Sequence, residues 1–211
     1  MTTANLASKT PDLGPMPVWD LSDLYSAPNA PELAHDLARA ERAAQAIKEQ
    51  CQGKLAEIAK DGDKLGTVIK SYEDLSDLMG KLASYAGLYY YANQADSERA
   101  KFYGDTNEAL TRIGTDLIFF ELELNQIEEA VLAEAVKAPK CAKYAPWLED
   151  LRREKPYQLD EKLERLFTEK SQTSRGAFSR LFNETMTTLR FPVAGEAEPL
   201  TLEPTLNLLS H

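Results

Sequence analysis

From Trp19 onward, apolar residues recur at helical spacing along almost the whole chain. Pro31 suits the first turn of a helix, where its missing N–H is not needed. It opens an amphipathic stretch of Leu33, Leu37, Ala40, Ala44 and Ile47 that loses its pattern near Gly53. Asp61-Gly62-Asp63 marks a turn. Leu65, Val68, Tyr72, Leu75, Met79, Leu82, Ala86 and Tyr89 then alternate steps of three and four, an unbroken heptad stripe. Asn93-Gln94-Ala95-Asp96 interrupts it, and Asp96 is a good N-cap for a second stripe through Phe102, Thr106, Ala109, Ile113, Leu117, Phe120, Leu124 and Ile127. Two helices of about 29 residues, each roughly 43 Å long, joined by so short a turn, predict a long antiparallel hairpin over about residues 64–127.

Pro139, Pro146 and Pro156 divide the next stretch into short helical pieces. Two more amphipathic helices follow Asp160. One carries Leu163, Leu166 and Phe167; the other carries Phe178, Leu181, Phe182, Met186 and Leu189, with Ser174 as its expected N-cap. The helical period fails at Phe191-Pro192-Val193. Gly195 lies between the apolar stretches 189–193 and 200–202, a pattern that predicts a small β-hairpin. Pro204 then begins a last helix, whose stripe of Leu202, Leu206 and Leu209 is just under way at His211 and reads as truncated.

The expected fold is all-α: a long antiparallel helical hairpin, further helices, and a small β-hairpin near the C-terminus. Its expected organisation is a disordered arm over 1–17, a helical region with the hairpin over 18–138, short helices and a helix pair over 139–190, and a β-hairpin with the start of a truncated helix over 191–211.

Composition narrows the function without identifying it. With 24 Lys and Arg against 34 Asp and Glu, the net charge of −10 argues against a nucleic-acid partner, because phosphate neutralisation needs a basic surface. No apolar run approaches the roughly 20 residues of a membrane span, so no membrane partner is expected. Cys51 and Cys141 have no C-x-x-C spacing and read as inert thiols in a reducing compartment. The first seventeen residues lack the charged segment and apolar core of an export signal, which points to the cytoplasm.

The search for chemistry turns on histidine, of which there are two, His35 and His211. Glu32-Leu33-Ala34-His35 has the Glu-x-x-His spacing of di-metal bundles, but a second such motif is missing. Asp61-x-Asp63-x-x-Gly66 begins like a calcium loop, yet its fifth position is Leu65 and its twelfth Tyr72. Asn183-Glu184-Thr185 matches a glycosylation acceptor inside an expected helix, and reads as chance. No glycine loop could cradle phosphate, and nothing places a nucleophile beside either histidine. The remaining cluster is Tyr85, Tyr89, Tyr90 and Tyr91, with Tyr85 and Tyr89 sharing a face. Amphipathic rings of this kind either line a peptide groove or interface, or pack the hairpin against the rest of the fold.

Several stretches together resemble one family, the zinc oligopeptidases of the oligoendopeptidase F type. They are Val18–Tyr25, Leu82–Asp105, Phe119–Ile127, and Tyr144-Ala145-Pro146-Trp147-Leu148 with the run through Val193; the similarity continues into LTLEPTLNLLS. Phe178 stands where the family is expected to prefer tryptophan, an exchange that keeps the aromatic packing role.

The resemblance implies a bacterial cytoplasmic metalloendopeptidase that hydrolyses short peptides in a deep channel between helical lobes. Zinc would be held there by H-E-x-x-H, whose glutamate serves as base to the metal-bound water. No H-E-x-x-H occurs in these 211 residues. The expectation is therefore an N-terminal part, inactive by itself and without a cofactor of its own. Zinc would belong to the full-length protein, and the partners would be the C-terminal catalytic part of the same protein and, for the whole enzyme, short peptides. No zinc ligand or base carries over, and the Tyr85–Tyr91 face is the candidate for channel wall or lobe contact. A free-standing, non-catalytic helical module that binds peptides or proteins is the alternative.

Overall fold

Helix α1 (Pro31–Cys51) begins at its proline, and its buried stripe of Leu33, Ala40, Ala44, Ile47 and Cys51 faces the core. This computed structural model describes residues 14, 15 and 17–210, so most of the arm expected over 1–17, and His211, lie outside the described residues. After α1, Gly53 turns the chain into the single-turn helix α2 (Leu55–Ile58). Too short to stand alone, α2 is capped from a distance. The Glu123 carboxylate accepts the Gly53 N–H at 2.6 Å and the Leu55 N–H at 3.3 Å.

Helix α3 (Gly62–Tyr91) is the central element. Its N-cap is Asp61, whose side chain accepts the Lys64 N–H at 3.1 Å. Leu65, Val68, Ile69, Leu75, Leu78, Leu82, Tyr85, Ala86 and Tyr90 are buried along it. Asp96 caps α4 (Ser97–Thr115) by accepting the Glu98 and Arg99 N–H groups at 2.9 and 3.3 Å.

The second arm of the hairpin is not one helix. It breaks at Asp116-Leu117, where N–H groups reach carbonyls three residues back at 3.2 and 3.0 Å, and resumes as α5 (Ile118–Gln126). The break follows Gly114 and the β-branched Thr115, whose hydroxyl bonds back to the Thr111 carbonyl at 2.8 Å, a combination that weakens and bends a helix. Asp116 meets Lys48 of α1 at 2.5 Å. The change of phase brings Phe119 into the core beside Phe120.

Three short helices close the core: α6 (Glu129–Ala135), α7 (Pro139–Ala142) and α8 (Ala145–Glu154). Pro139 and Pro146 occupy the first turns of α7 and α8, and Pro156 lies in a 3-10 turn over Lys155–Tyr157. The α6–α7 segment comes so close to α3 that only glycine fits there. A Cβ on Gly62 would lie 2.3 Å from the Ala135 carbonyl oxygen, and one on Gly66 would lie 2.4 Å from the Lys140 carbonyl carbon. The Asp63 carboxylate fastens this seam by accepting the Lys140 N–H at 3.1 Å.

Beyond α8 the packing changes. Helices α9 (Glu161–Thr173), α10 (Arg175–Thr188) and α11 (Leu202–Asn207) contain no buried residue, whereas the core runs from Tyr25 to Leu151. Asp160 caps α9. Ser174 does not cap α10 as expected, because its hydroxyl donates back to the Lys170 carbonyl of α9 at 2.7 Å.

The small β-hairpin expected near the C-terminus is absent: the described residues contain no strand. Phe191 and Leu200 exchange two backbone hydrogen bonds of 2.9 Å, a single antiparallel bridge. A ladder has no room to grow from it. On the outer side the Leu189 N–H is spent on the Thr185 carbonyl at the end of α10, and Leu202 already begins α11. On the inner side a turn with Gly195 at φ +95° makes the Val193 carbonyl accept the Glu196 N–H at 3.2 Å.

Candidate functional site

The four tyrosines singled out in the sequence lie at the last turns of α3 and divide into two groups. Tyr85 is buried, edge-on to Tyr25 with centroids 5.3 Å apart and to Phe102 at 6.1 Å, and stacked parallel to Tyr89 at 5.9 Å. The Arg99 guanidinium lies 4.3 Å from the centre of the half-buried Tyr89 ring, and its Nη1 donates to the Tyr89 carbonyl at 2.9 Å. In the second group, buried Tyr90 stacks on Tyr103 at 4.9 Å, and Tyr91 leans on Tyr90 at 5.2 Å. Tyr91 is 48% exposed, against 2% for Tyr85 and Tyr90. Packing thus claims Tyr85 and Tyr90, while Tyr89 and Tyr91 keep surface to offer.

Burial sets the protonation of this cluster. It raises the Tyr85 and Tyr90 hydroxyls above the ordinary value, with Tyr89 and Glu184 respectively adding to it; Tyr103 is the larger cause for Tyr91. Tyr25 is raised by burial and by Asp36, which accepts its hydroxyl at 2.8 Å. Burial pushes Asp36 upward, but the Tyr25 hydroxyl, Arg39 and Lys81 together outweigh it and hold the carboxyl low. These hydroxyls are neutral donors at physiological pH.

Below Tyr90, a groove of about 850 Å³ runs between α4 and the α9–α10 pair, lined among others by Tyr103, Glu108, Arg165, Arg180 and Glu184. Two side-chain bonds tie the α9–α10 pair to the rest of the fold. Gln172 Nε2 donates to Thr111 Oγ1 at 2.7 Å, and the Thr187 hydroxyl donates to Gln94 Oε1 at 3.2 Å. Charges of both signs line it, which suits a zwitterionic or peptide-like surface more than a single ion. Sequence reasoning found Tyr90 but missed the groove, because its residues come from four helices and none stands out in the local pattern.

The residues at hand do not fit a catalytic zinc. Among the described residues no three His, Cys, Asp or Glu side chains are grouped to hold a metal ion. His35 is on the surface of α1, 3.7 Å from the Asp36 carboxylate. Cys51 and Cys141 are fully buried thiols, Cys51 pushed up to about 11 by burial with Glu123 adding to it. The aspartates of the calcium-like stretch are used as caps, Asp61 for α3 and Asp63 for the Lys140 N–H.

No curated protein is significantly similar in sequence to this chain. Residues 123–191 match the family model of oligopeptidase F. Among solved structures, the chain is similar to oligoendopeptidase-F from Enterococcus faecium, with a TM-score of 0.72 and 17% identity over 85% of this chain and 36% of that one. It is also similar to a protein from Chlamydophila abortus described as a candidate peptidase, with a TM-score of 0.55 and 21% identity over 90% of this chain and 32% of that one. At these identities the likeness speaks to fold, and the chain spans about a third of the length of either structure. The chain thus matches the oligopeptidase F model over residues 123–191 and is similar in its all-α fold to an oligoendopeptidase F.

Proposed function

We propose that this chain is the N-terminal helical part of a cytoplasmic zinc oligoendopeptidase that hydrolyses short peptides. In this reading its helices form part of the wall of the substrate channel, and the metal and the general base belong to the rest of that protein. The observation that carries it is the apolar face of α9 and α10. Leu163, Leu166, Phe167, Phe178, Leu181 and Phe182 are 41–71% exposed on two amphipathic helices inside the family-matched segment. Covering one such side chain gains about 1.5–3 kcal/mol, and exposed patches of this kind mark interaction sites. Further chain of the same enzyme is the proposed cover, consistent with solved structures of which this chain spans only about a third.

The mass of the endogenous protein and the transcript that encodes it test the reading. A product extended beyond residue 211 into a segment with H-E-x-x-H supports it. A native protein ending at His211 overturns it in favour of a free-standing, non-catalytic helical module. The 211-residue chain by itself is expected to bind no stoichiometric zinc and to leave a quenched fluorescent peptide uncut. Cleavage that persists through repurification and is lost with a chelator refutes that expectation. In the extended enzyme, Tyr89→Ala and Tyr91→Ala should change KM or peptide preference, whereas Tyr85→Ala and Tyr90→Ala should chiefly lower stability. Unchanged kinetics in the first pair would remove these residues from the channel wall.

A further inference from the structure

Away from the tyrosine cluster, nearer the start of α3, a recess of about 480 Å³ opens where α3, α5 and α8 meet. Ile69, Tyr72 and Glu73 come from α3, Glu121 from α5, Tyr144 precedes α8 and Trp147 lies in it. Tyr72 is fixed from behind by Phe120, stacked at 4.3 Å, and lies 6.2 Å from the half-buried Trp147 ring. The walls are aromatic and rigid.

The two carboxylates of the recess differ. Glu73 is already served by Lys143 at 3.2 Å, Lys70 at 3.3 Å and the Tyr144 hydroxyl at 2.8 Å, and Lys143 also covers the Tyr144 ring at 4.4 Å. Glu121 accepts the Tyr72 hydroxyl on Oε1 at 3.1 Å, and among the described residues no lysine, arginine or histidine comes within 4.0 Å of it. A half-buried carboxylate without a counter-ion, set beside two aromatic rings that attract cations, in a chain of net charge −10, is a site short of one positive charge.

We propose that this recess binds a monovalent organic cation, an ammonium or guanidinium group on a short apolar stem, with the charge against Glu121 and the stem along Ile69, Tyr72 and Trp147. Lysine-like and arginine-like side chains and the amino end of a peptide share this chemistry. The inference stands apart from the peptidase reading, because it uses residues of this chain alone.

The test is a titration of the 211-residue chain with n-butylammonium, n-butylguanidinium and the neutral 1-pentanol at constant ionic strength. The indole N–H signal of Trp147 is followed by ¹H–¹⁵N NMR; Trp19, the second tryptophan, is the internal reference, and Trp147→Phe gives the assignment. The expected result is a saturable shift of Trp147 with either cation and binding of 1-pentanol weaker by about tenfold or more. Glu121→Gln keeps an acceptor for Tyr72 and should weaken cation binding about tenfold, while Glu121→Asp, which keeps the charge, retains it. Tighter binding by one cation assigns the stem to the amine or the arginine class. A linear response, equal affinity for 1-pentanol, or undiminished binding by a folded Glu121→Gln overturns the proposal.

Discussion

Replacing Gly66 by alanine adds one methyl group where α3 meets the main chain at the start of α7. On the observed backbone, that carbon would lie 2.4 Å from the Lys140 carbonyl carbon, 2.5 Å from its oxygen and 2.6 Å from the Cys141 nitrogen. Carbon–carbon contacts are optimal at roughly 3.5–4.0 Å, so the α7 segment must retreat by about 1 Å. All three obstructing atoms are main chain, and no rotamer change relieves them. Overpacking of this kind costs about 1–3 kcal/mol, with the upper end expected here, against a gain of about 1 kcal/mol in helix propensity.

The net loss is about 2 kcal/mol, equivalent to a fall in Tm of about 4–8 °C for a chain of this size. Gly80, in the same helix, is exposed and has nothing within 4 Å of its missing Cβ. Gly80→Ala should therefore gain the propensity alone and raise Tm by about 2–4 °C. Thermal unfolding of the two variants, followed by far-UV circular dichroism, reads out both signs in one experiment. A Gly66→Ala protein as stable as its parent, beside a stabilised Gly80→Ala, would refute the close approach of α7.

Glu123→Ala removes the acceptor for the Gly53 and Leu55 N–H groups and should cost about 1–2 kcal/mol, seen as a lower urea midpoint; Glu123→Gln should lose less. Burial raises the Tyr25, Tyr72, Tyr85 and Tyr90 hydroxyls, so above about pH 10, where tyrosines of the unfolded chain release their protons, the folded state binds more protons than the unfolded. Stability should then fall as pH rises past that point and be indifferent to these groups below it. A denaturation midpoint that holds steady between pH 9 and about 11 contradicts this. Cys51 and Cys141, both fully buried and with thiols raised by burial, should resist a thiol-specific disulfide reagent in the native protein and react once it is unfolded.

The start of α4 was legible because a side chain makes its cap locally. Asp96 accepts the N–H groups of the next turn, as its position before an apolar stripe announces. Ser174 failed as a cap because a hydroxyl has two local choices, and here the carbonyl behind it won. The break at Asp116-Leu117 was invisible because the three-four spacing of Ile113, Leu117 and Phe120 runs straight through it. The β-hairpin was wrongly expected because apolar pairs around a glycine look alike whether one bridge or a ladder forms between them.

At the candidate site, the tyrosines were found as a cluster, but only packing separates the buried Tyr85 and Tyr90 from the exposed Tyr91. The recess at Trp147 had no sequence signal, since its residues stand at 69–76, 121 and 143–147 and meet only in the fold. The glycine seam could have been noticed, as two glycines four apart at the start of a long helix commonly mark a close neighbour.

Glu123 has a bearing on the order in which the chain acquires its shape. Its carboxylate reaches back about seventy positions to Gly53 and Leu55, a loop that closes only after α3 and α4 have doubled the chain back on itself. Until then α2, a single turn of four residues, lacks both a cap and the length to persist. Helix α2 is therefore a product of tertiary assembly and not one of its seeds, and the formation of its hydrogen bonds times the moment at which α5 reaches its place.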